Sequence, residues 1–412
     1  MFKTESMGLS NRTLLYLSGA GVALLVSILL SELLLLPPSL ETVGRILYRT
    51  AFFVILPWRP LVSMFIPQQG NHWPIEHFII VCLAAPYLYW LLYHTCRQLW
   101  LRHRPAVRAA FELPPYPSHR KQHGADMSRR QFLRRSAAGS MGLAAFSVGG
   151  YASFVAPQRL RVEAYTIPIR GLPPELDGFR LVHVSDTHYG PYNALPYLRN
   201  SAEQASALDG DFMILTGDYV HHTPRSVEPG IGMLTDYRAR LGQAAVLGNH
   251  DHWEGTEACQ EMFKEIGTPL LDNARMFLTP DGLTDTPVPG KSICLAGVGD
   301  LWDDEVSLDK ALDGVDPEMP RILLSHNPDV AEEMDSAHRV DLMLSGHTHG
   351  GQISIPGWGP PLVPSRYGLK YAGGLCAGPH CPVIVSRGVG VAFMPFRLGV
   401  PPELGVVTLK RA

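Results

Sequence analysis

The chain has 412 residues, 35 Lys and Arg against 38 Asp and Glu, and a formal net charge of -3. This length suits two or three domains, and the lack of any excess of basic residues excludes nucleic acid as the main partner, since tracking phosphates needs such an excess. Only 18% of the residues are charged while 46% are apolar, poorer in charge than the roughly 25% of soluble domains, so part of the chain belongs in lipid.

That part is the N-terminal quarter. Residues 14–36 carry no charge except Glu32 and are long enough for a helix to cross a hydrocarbon core of about 30 Å, and Pro37-Pro38 ends the helix by withholding amide protons. A second span is expected over residues 75–100, with Tyr87, Tyr89, Trp90, Tyr93 and Trp100 as interfacial anchors. Between them, residues 43–66 carry Arg45, Arg49 and Arg59, each costing roughly 2.5–3.5 kcal/mol at the bilayer centre, so this piece reads as interfacial or re-entrant. Residues 1–104 thus form a membrane region.

From Arg97 to Arg135 ten basic residues face only Glu112 and Asp126, which marks the stretch as cytoplasmic. Residues 105–127, with Pro114-Pro115-Tyr116-Pro117, read as an extended linker. Ser128-Arg129-Arg130-Gln131-Phe132-Leu133-Arg134 and the Gly/Ala-rich run to Ala156 resemble a twin-arginine export signal, which implies the twin-arginine translocase as a partner. The alternative is a plain third membrane helix. Either way residues 128–156 act as signal or anchor and carry the C-terminal part of the chain out of the cytoplasm if that helix crosses.

Residues 157–412 alternate short apolar runs with helix-like segments, the pattern of a layered α/β domain. Five runs end on metal-type side chains. Leu181-Val182-His183-Val184 leads to Asp186 and His188, Phe212-Met213-Ile214-Leu215 to Gly217-Asp218, and Ala244-Ala245-Val246-Leu247 to Gly248-Asn249-His250-Asp251. Arg321-Ile322-Leu323-Leu324 leads to His326, and Asp341-Leu342-Met343-Leu344 to Gly346-His347-Thr348-His349. Strand ends converge along one sheet edge, where loops gather ligands that are distant in sequence. The set holds carboxylates, an amide and imidazoles but no thiolate, a chemistry suited to Mn, Fe, Co or Zn.

These five motifs resemble those of the calcineurin-like metallophosphoesterase family at every ligand position, over about residues 177–410. The string Gly346-His347-Thr348-His349-Gly350-Gly351-Gln352-Ile353 is further similar to the bacterial membrane-associated branch, which includes twin-arginine-exported phosphodiesterases and enzymes like UDP-2,3-diacylglucosamine hydrolase. The resemblance implies a four-layer α/β/β/α sandwich and two divalent metals. Asp186, His188 and His349 would hold one ion, Asn249, His326 and His347 the other, and Asp218 both. A hydroxide shared by the pair would attack phosphorus, with His250 assisting the leaving oxygen and Asp251 orienting His250. No Ser or Cys nucleophile is needed, and Ser185 and Ser345 lack a nucleophile elbow.

Several residues stay open. His221 and His222 read as solvated or substrate-facing in preference to an extra metal site. Arg366, Tyr367, Lys370, Arg387 and Arg397 reach either a substrate phosphate or solvent. Cys376 and Cys381 form a disulfide or stay free.

The expectation is a metallophosphoesterase anchored in the bacterial inner membrane by several spans, with a periplasmic catalytic domain. Its substrate would be a lipid-linked or envelope phosphodiester or pyrophosphate. The alternatives are a cytoplasmic-face UDP-2,3-diacylglucosamine-type pyrophosphohydrolase and, in another class, a noncatalytic metal-dependent binding module.

Overall fold

The computed structural model describes residues 128–412 apart from 336–337; the expected spans at 14–36 and 75–100, the interfacial piece at 43–66 and the linker at 105–127 lie outside the described residues. A helix, α1 (Arg129–Gly150), begins on the twin arginines and passes into one π turn and one 3-10 turn ending at Gln158. Among the described residues, Gly139–Gln158 is the one helical stretch long and apolar enough to cross a membrane, by length and composition. Met141, Leu143 and Phe146 on it are exposed.

Past Gln158, two sheets form. The first contains β1 (Arg161–Ile169), β2 (Arg180–Val184), β3 (Phe212–Thr216), β4 (Gln243–Val246) and β12 (Glu403–Arg411), in the order β1-β12-β2-β3-β4. The second contains β5 (Ala274–Thr279), β6 (Gly282–Thr284), β7 (Ile293–Gly297), β8 (Arg321–Leu324), β9 (Leu342–Ser345), β10 (Gly374–Ala377) and β11 (Pro382–Val385), in the order β10-β11-β9-β8-β7-β5-β6. β2, β3 and β4 run parallel, as do β7, β8, β9 and β11, while β12 is antiparallel to β2, β10 to β11, and β5 to both β6 and β7.

Side chains along a strand alternate faces, and both faces of these strands are apolar, as expected of parallel strands covered on two sides. Leu181, Phe212 and Ile214 of the first sheet and Leu295, Ile322, Leu324 and Leu344 of the second enter one central core. The intervening Val182, Met213 and Leu215 face α2 (Leu195–Ser206) and α4 (Asn249–Glu265). Cys294, Ala296, Leu323 and Met343 pack outward on α5 (Leu308–Leu312). The short α3 (Val227–Gly232) completes the helices. The layers are therefore helix, sheet, sheet, helix, and the apolar runs expected as strands are β2, β3, β4, β8 and β9.

Candidate metal centre

Each of these five strands releases its chain at the same edge. Asp186, His188, Asp218, His347 and His349 all have φ between 44° and 71°, a left-handed conformation that non-glycine residues seldom adopt and that costs on the order of 1 kcal/mol or more apiece. The backbone is bent so that each side chain turns inward as soon as its strand ends. Two glycines make room. Gly217 has φ +91°, and a Cβ there would come within 2.6 Å of the Gly248 amide nitrogen, while one on Gly346 would collide with Ser185 and Asp186.

The side chains form two groups sharing one carboxylate. In the first, His188 Nε2 lies 2.9 Å from His349 Nε2, and His349 Nε2 lies 3.1 Å from Asp186 Oδ1. In the second, His347 Nδ1 lies 3.0 Å from Asn249 Oδ1 and 3.2 Å from His326 Nε2. Asp218 Oδ2 stands between them, 3.4 Å from His188 Nε2 and 3.2 Å from His326 Nε2. All of these residues are buried.

The surroundings fix the orientations. Asp218 Oδ1 accepts the His250 amide at 2.8 Å, leaving Oδ2 for the imidazoles. His326 Nδ1 meets the Thr216 carbonyl at 2.7 Å, which makes Nδ1 the protonated nitrogen and turns the Nε2 lone pair inward. Arg397, wholly buried, donates to the carbonyls of Arg387 and Gly388 and places Nη2 3.3 Å from His349 Nδ1.

Burial drives His347 down to about 3 and His349 down to about 4, so both are neutral, as ligation requires. His326 differs. Burial opposes its charge, but the Asp218 carboxylate outweighs burial and lifts it to about 10. Asp218 is held well below the usual carboxylate range, chiefly by His326, against burial. A cation between these groups would replace that proton.

The donors fit divalent ions. In Asp186, His188 and His349, and again in Asp218, His326 and His347, one ligand atom from each residue lies within 4.8 Å of the others. Imidazole nitrogens 2.9 Å apart, with the carboxylates beside them, form a dense set of lone pairs that a 2+ charge satisfies. His347 Nε2 and Asn249 Nδ2, both buried, have no partner.

His250 and Asp251 open α4, whose first turns run to a break at Gly255 (φ 137°). The Asp251 carboxylate accepts the backbone amides of Asp218, Tyr219 and Gly248 at 2.8–2.9 Å, tying the Gly217-Asp218 turn to the start of α4. The His250 ring hydrogen-bonds with His221, Nδ1 to Nδ1 at 2.8 Å, and His221 is buried. Paired histidines after Asp218 are visible in the sequence, but burial against His250 is not. The half-exposed Trp253 lies against His250 with ring centroids 4.5 Å apart and planes tilted by 57°, and the half-exposed Trp302 meets His347 edge-on at 4.3 Å; no sequence signal singles out either.

Of the remaining cations, Arg387 pairs with Glu403 and Lys370 with Glu332, whereas Arg366 and Tyr367 are exposed. Cys376 and Cys381 are free thiols.

Comparison with known proteins agrees with this centre. The model of the calcineurin-like phosphoesterase family matches residues 179–351. An uncharacterized metallophosphoesterase of Bacillus subtilis, YkuE, is 32% identical over 290 residues, covering 69% of this chain and 98% of the relative. Phosphodiesterase YaeI of Escherichia coli is 29% identical over 291 residues, covering 69% and 99%. A bovine transmembrane protein with metallophosphoesterase domain is 27% identical over 374 residues, covering 86% and 81%. With the relatives matched nearly end to end and two buried donor groups at the strand ends, the chain belongs to the calcineurin-like phosphoesterase family and is a phosphoester hydrolase that uses two divalent metal ions.

Proposed function

We propose that the protein is a membrane-anchored hydrolase of a phosphodiester or pyrophosphate in a lipid-linked or envelope substrate. In this reading residues 1–104 are a membrane region, 105–127 a cytoplasmic linker, 128–156 a twin-arginine-like signal or anchor, and 157–412 the catalytic domain outside the cytoplasm. Asp186, His188 and His349 would hold one ion and Asn249, His326 and His347 the other, with the Asp218 carboxylate available to both. The observation that carries this assignment is the position of Asp218 Oδ2 between His188 and His326. Two ions held there supply Lewis acidity toward phosphoryl oxygens and bring a water pKa toward about 7.

The chain's own groups do the rest. Burial keeps His250 well below the usual imidazole pKa, hence neutral. When His221 donates from Nδ1 to His250 Nδ1, the proton of His250 sits on Nε2, the nitrogen without a partner. From there it stabilises or protonates the leaving oxygen. Asp251 holds the turn that positions both Asp218 and His250. Trp253 and Trp302 offer apolar walls on either side, suited to a leaving group with an apolar body.

Three observations support the membrane part of this reading: the apolar Gly139–Gln158 helix, the exposed twin arginines before it, and the bovine relative named as transmembrane. Hydrolysis of bis(p-nitrophenyl) phosphate by the full chain tests the chemistry. Turnover that needs Mn²⁺, stops on chelation and is absent in Asp218→Asn is expected. A folded chain with two bound metals and no turnover would favour a noncatalytic binding module. A reporter fused after Arg159 tests the topology, where alkaline-phosphatase activity is expected and fluorescence confined to a cytoplasmic reporter would contradict export.

A further inference from the structure

Residues 350–365 contain no charged side chain. They leave the metal centre directly after His349 and fold into a tight loop in which Ile355 and Gly359 exchange both backbone hydrogen bonds at 2.9 Å. At its tip Trp358 is 84% exposed, flanked by Pro356, Gly357, Gly359 and Pro360, with Ile355 and Leu362 also exposed. Trp358, Ile355 and Leu362 together make an uncharged apolar projection, the kind of exposed surface that a partner covers. An interfacial bilayer is such a partner, since the amphipathic ring settles at the headgroup level.

The base of this loop joins two other parts of the domain. Returning residues 360–362 press on Gly351, where a Cβ would meet Pro360 at 2.8 Å, so the loop is seated on the turn that carries His349. On the other side Ser354 donates to the Leu398 carbonyl at 2.7 Å, and the neighbouring Arg397 amide donates to the Ala152 carbonyl at 2.9 Å. Ala152 lies in the last turns of the apolar Gly139–Gln158 helix, beside the exposed Tyr151, Phe154 and Val155. The exposed Arg366, Tyr367 and Leu369 come after the loop, adding a cation for lipid phosphates.

We infer that residues 355–362 are a bilayer-inserting finger, tipped by Trp358, that holds the mouth of the metal centre against the lipid surface from which the substrate is taken. This rests on the proposed membrane anchoring and adds a second contact independent of the anchor helix.

The test uses the full chain reconstituted into phosphatidylcholine and phosphatidylglycerol vesicles, plain or brominated on the acyl chains, with Trp358→Leu as the reference. Subtracting the variant's emission isolates the signal of Trp358 from the other six tryptophans. Bromination is expected to remove more than half of that signal, while aqueous iodide leaves it unchanged. A signal quenched by iodide and not by bromine overturns the finger, and so does a blue-shifted signal that neither quencher reaches, which would place the indole against protein. A chain that fails to float with vesicles at all sinks the membrane reading itself. Retained bis(p-nitrophenyl) phosphate hydrolysis in Trp358→Leu establishes that the variant is folded.

Discussion

The metal centre and the Ile355–Leu362 loop reverse the usual partition of side chains in opposite senses. At the centre, Asp186, His188, Asp218, His326, His347 and His349 are all buried, several in left-handed backbone. Immediately beyond His349, indole and aliphatic groups stand in the open. Buried charge is expensive unless something pairs with it, and exposed apolar surface persists where a partner covers it. In each place the missing counterpart lies outside the polypeptide: divalent ions in one case and, by our inference, lipid in the other. The two reversals adjoin, and by our inference chemistry would then sit beside the surface that supplies its substrate.

Substitutions at the centre should break the comparison most sharply. Asp218→Asn removes the carboxylate between the two groups, and kcat/KM for bis(p-nitrophenyl) phosphate should fall by about 1000-fold or more, with bound metal reduced in elemental analysis. His250→Ala should cost about 100-fold to 10,000-fold. Its loss should be larger for an alkyl ester than for a p-nitrophenyl ester, because p-nitrophenolate departs without a proton; equal losses on both would refute the leaving-group role. Losing the hydrogen bond in His221→Phe should lower kcat by about fivefold, corresponding to roughly 1 kcal/mol, with KM little changed.

A stability effect is expected from Asp272, whose Oδ1 accepts the Leu247 amide at 3.0 Å while Oδ2 is buried without a partner. Burial, helped by Asp304 and Asp300, pushes its pKa up to about 7. The folded state therefore retains a proton that the unfolded chain releases near 4, and stability is lost as pH rises through 4 to 7. Asp272→Asn should match the wild type near pH 4 and exceed its Tm increasingly up to about pH 7, with a constant margin above. A constant margin at every pH would contradict this. The smallest expected effect sharpens the contrast from the other side: Trp358→Ser should leave turnover of soluble bis(p-nitrophenyl) phosphate within about twofold, as exposed substitutions generally do.

Much of this is legible in the sequence because the relevant signals are local. β2, β3, β4, β8 and β9 announce themselves as short apolar runs, and the residues after them carry donors of one chemical type. Both faces of these strands being apolar also points to cover on two sides. The roles within the centre are less legible. Asp251 comes after His250 in sequence, yet its carboxylate binds the amides of Asp218, Tyr219 and Gly248, and it is His221, from another loop, that meets the imidazole. Adjacency along the chain does not determine which side chains face each other once a helix begins. Likewise Arg387, Arg397 and Lys370 look equally available for phosphate by sequence, but Glu403, a set of carbonyls with His349, and Glu332 engage them.

The sequence by itself determined the alternation of strands and connections, the ligand types, and the family whose motifs they resemble, since each depends on residue identity and short spacing. Only the tertiary structure decided that Asp218 Oδ2 lies between two imidazole groups, that His221 is buried against His250, and that an uncharged loop is seated between the metal turn and the end of the apolar helix. Those facts depend on contacts between segments tens to hundreds of residues apart, which form when strand ends converge on one edge and fix the direction of each side chain.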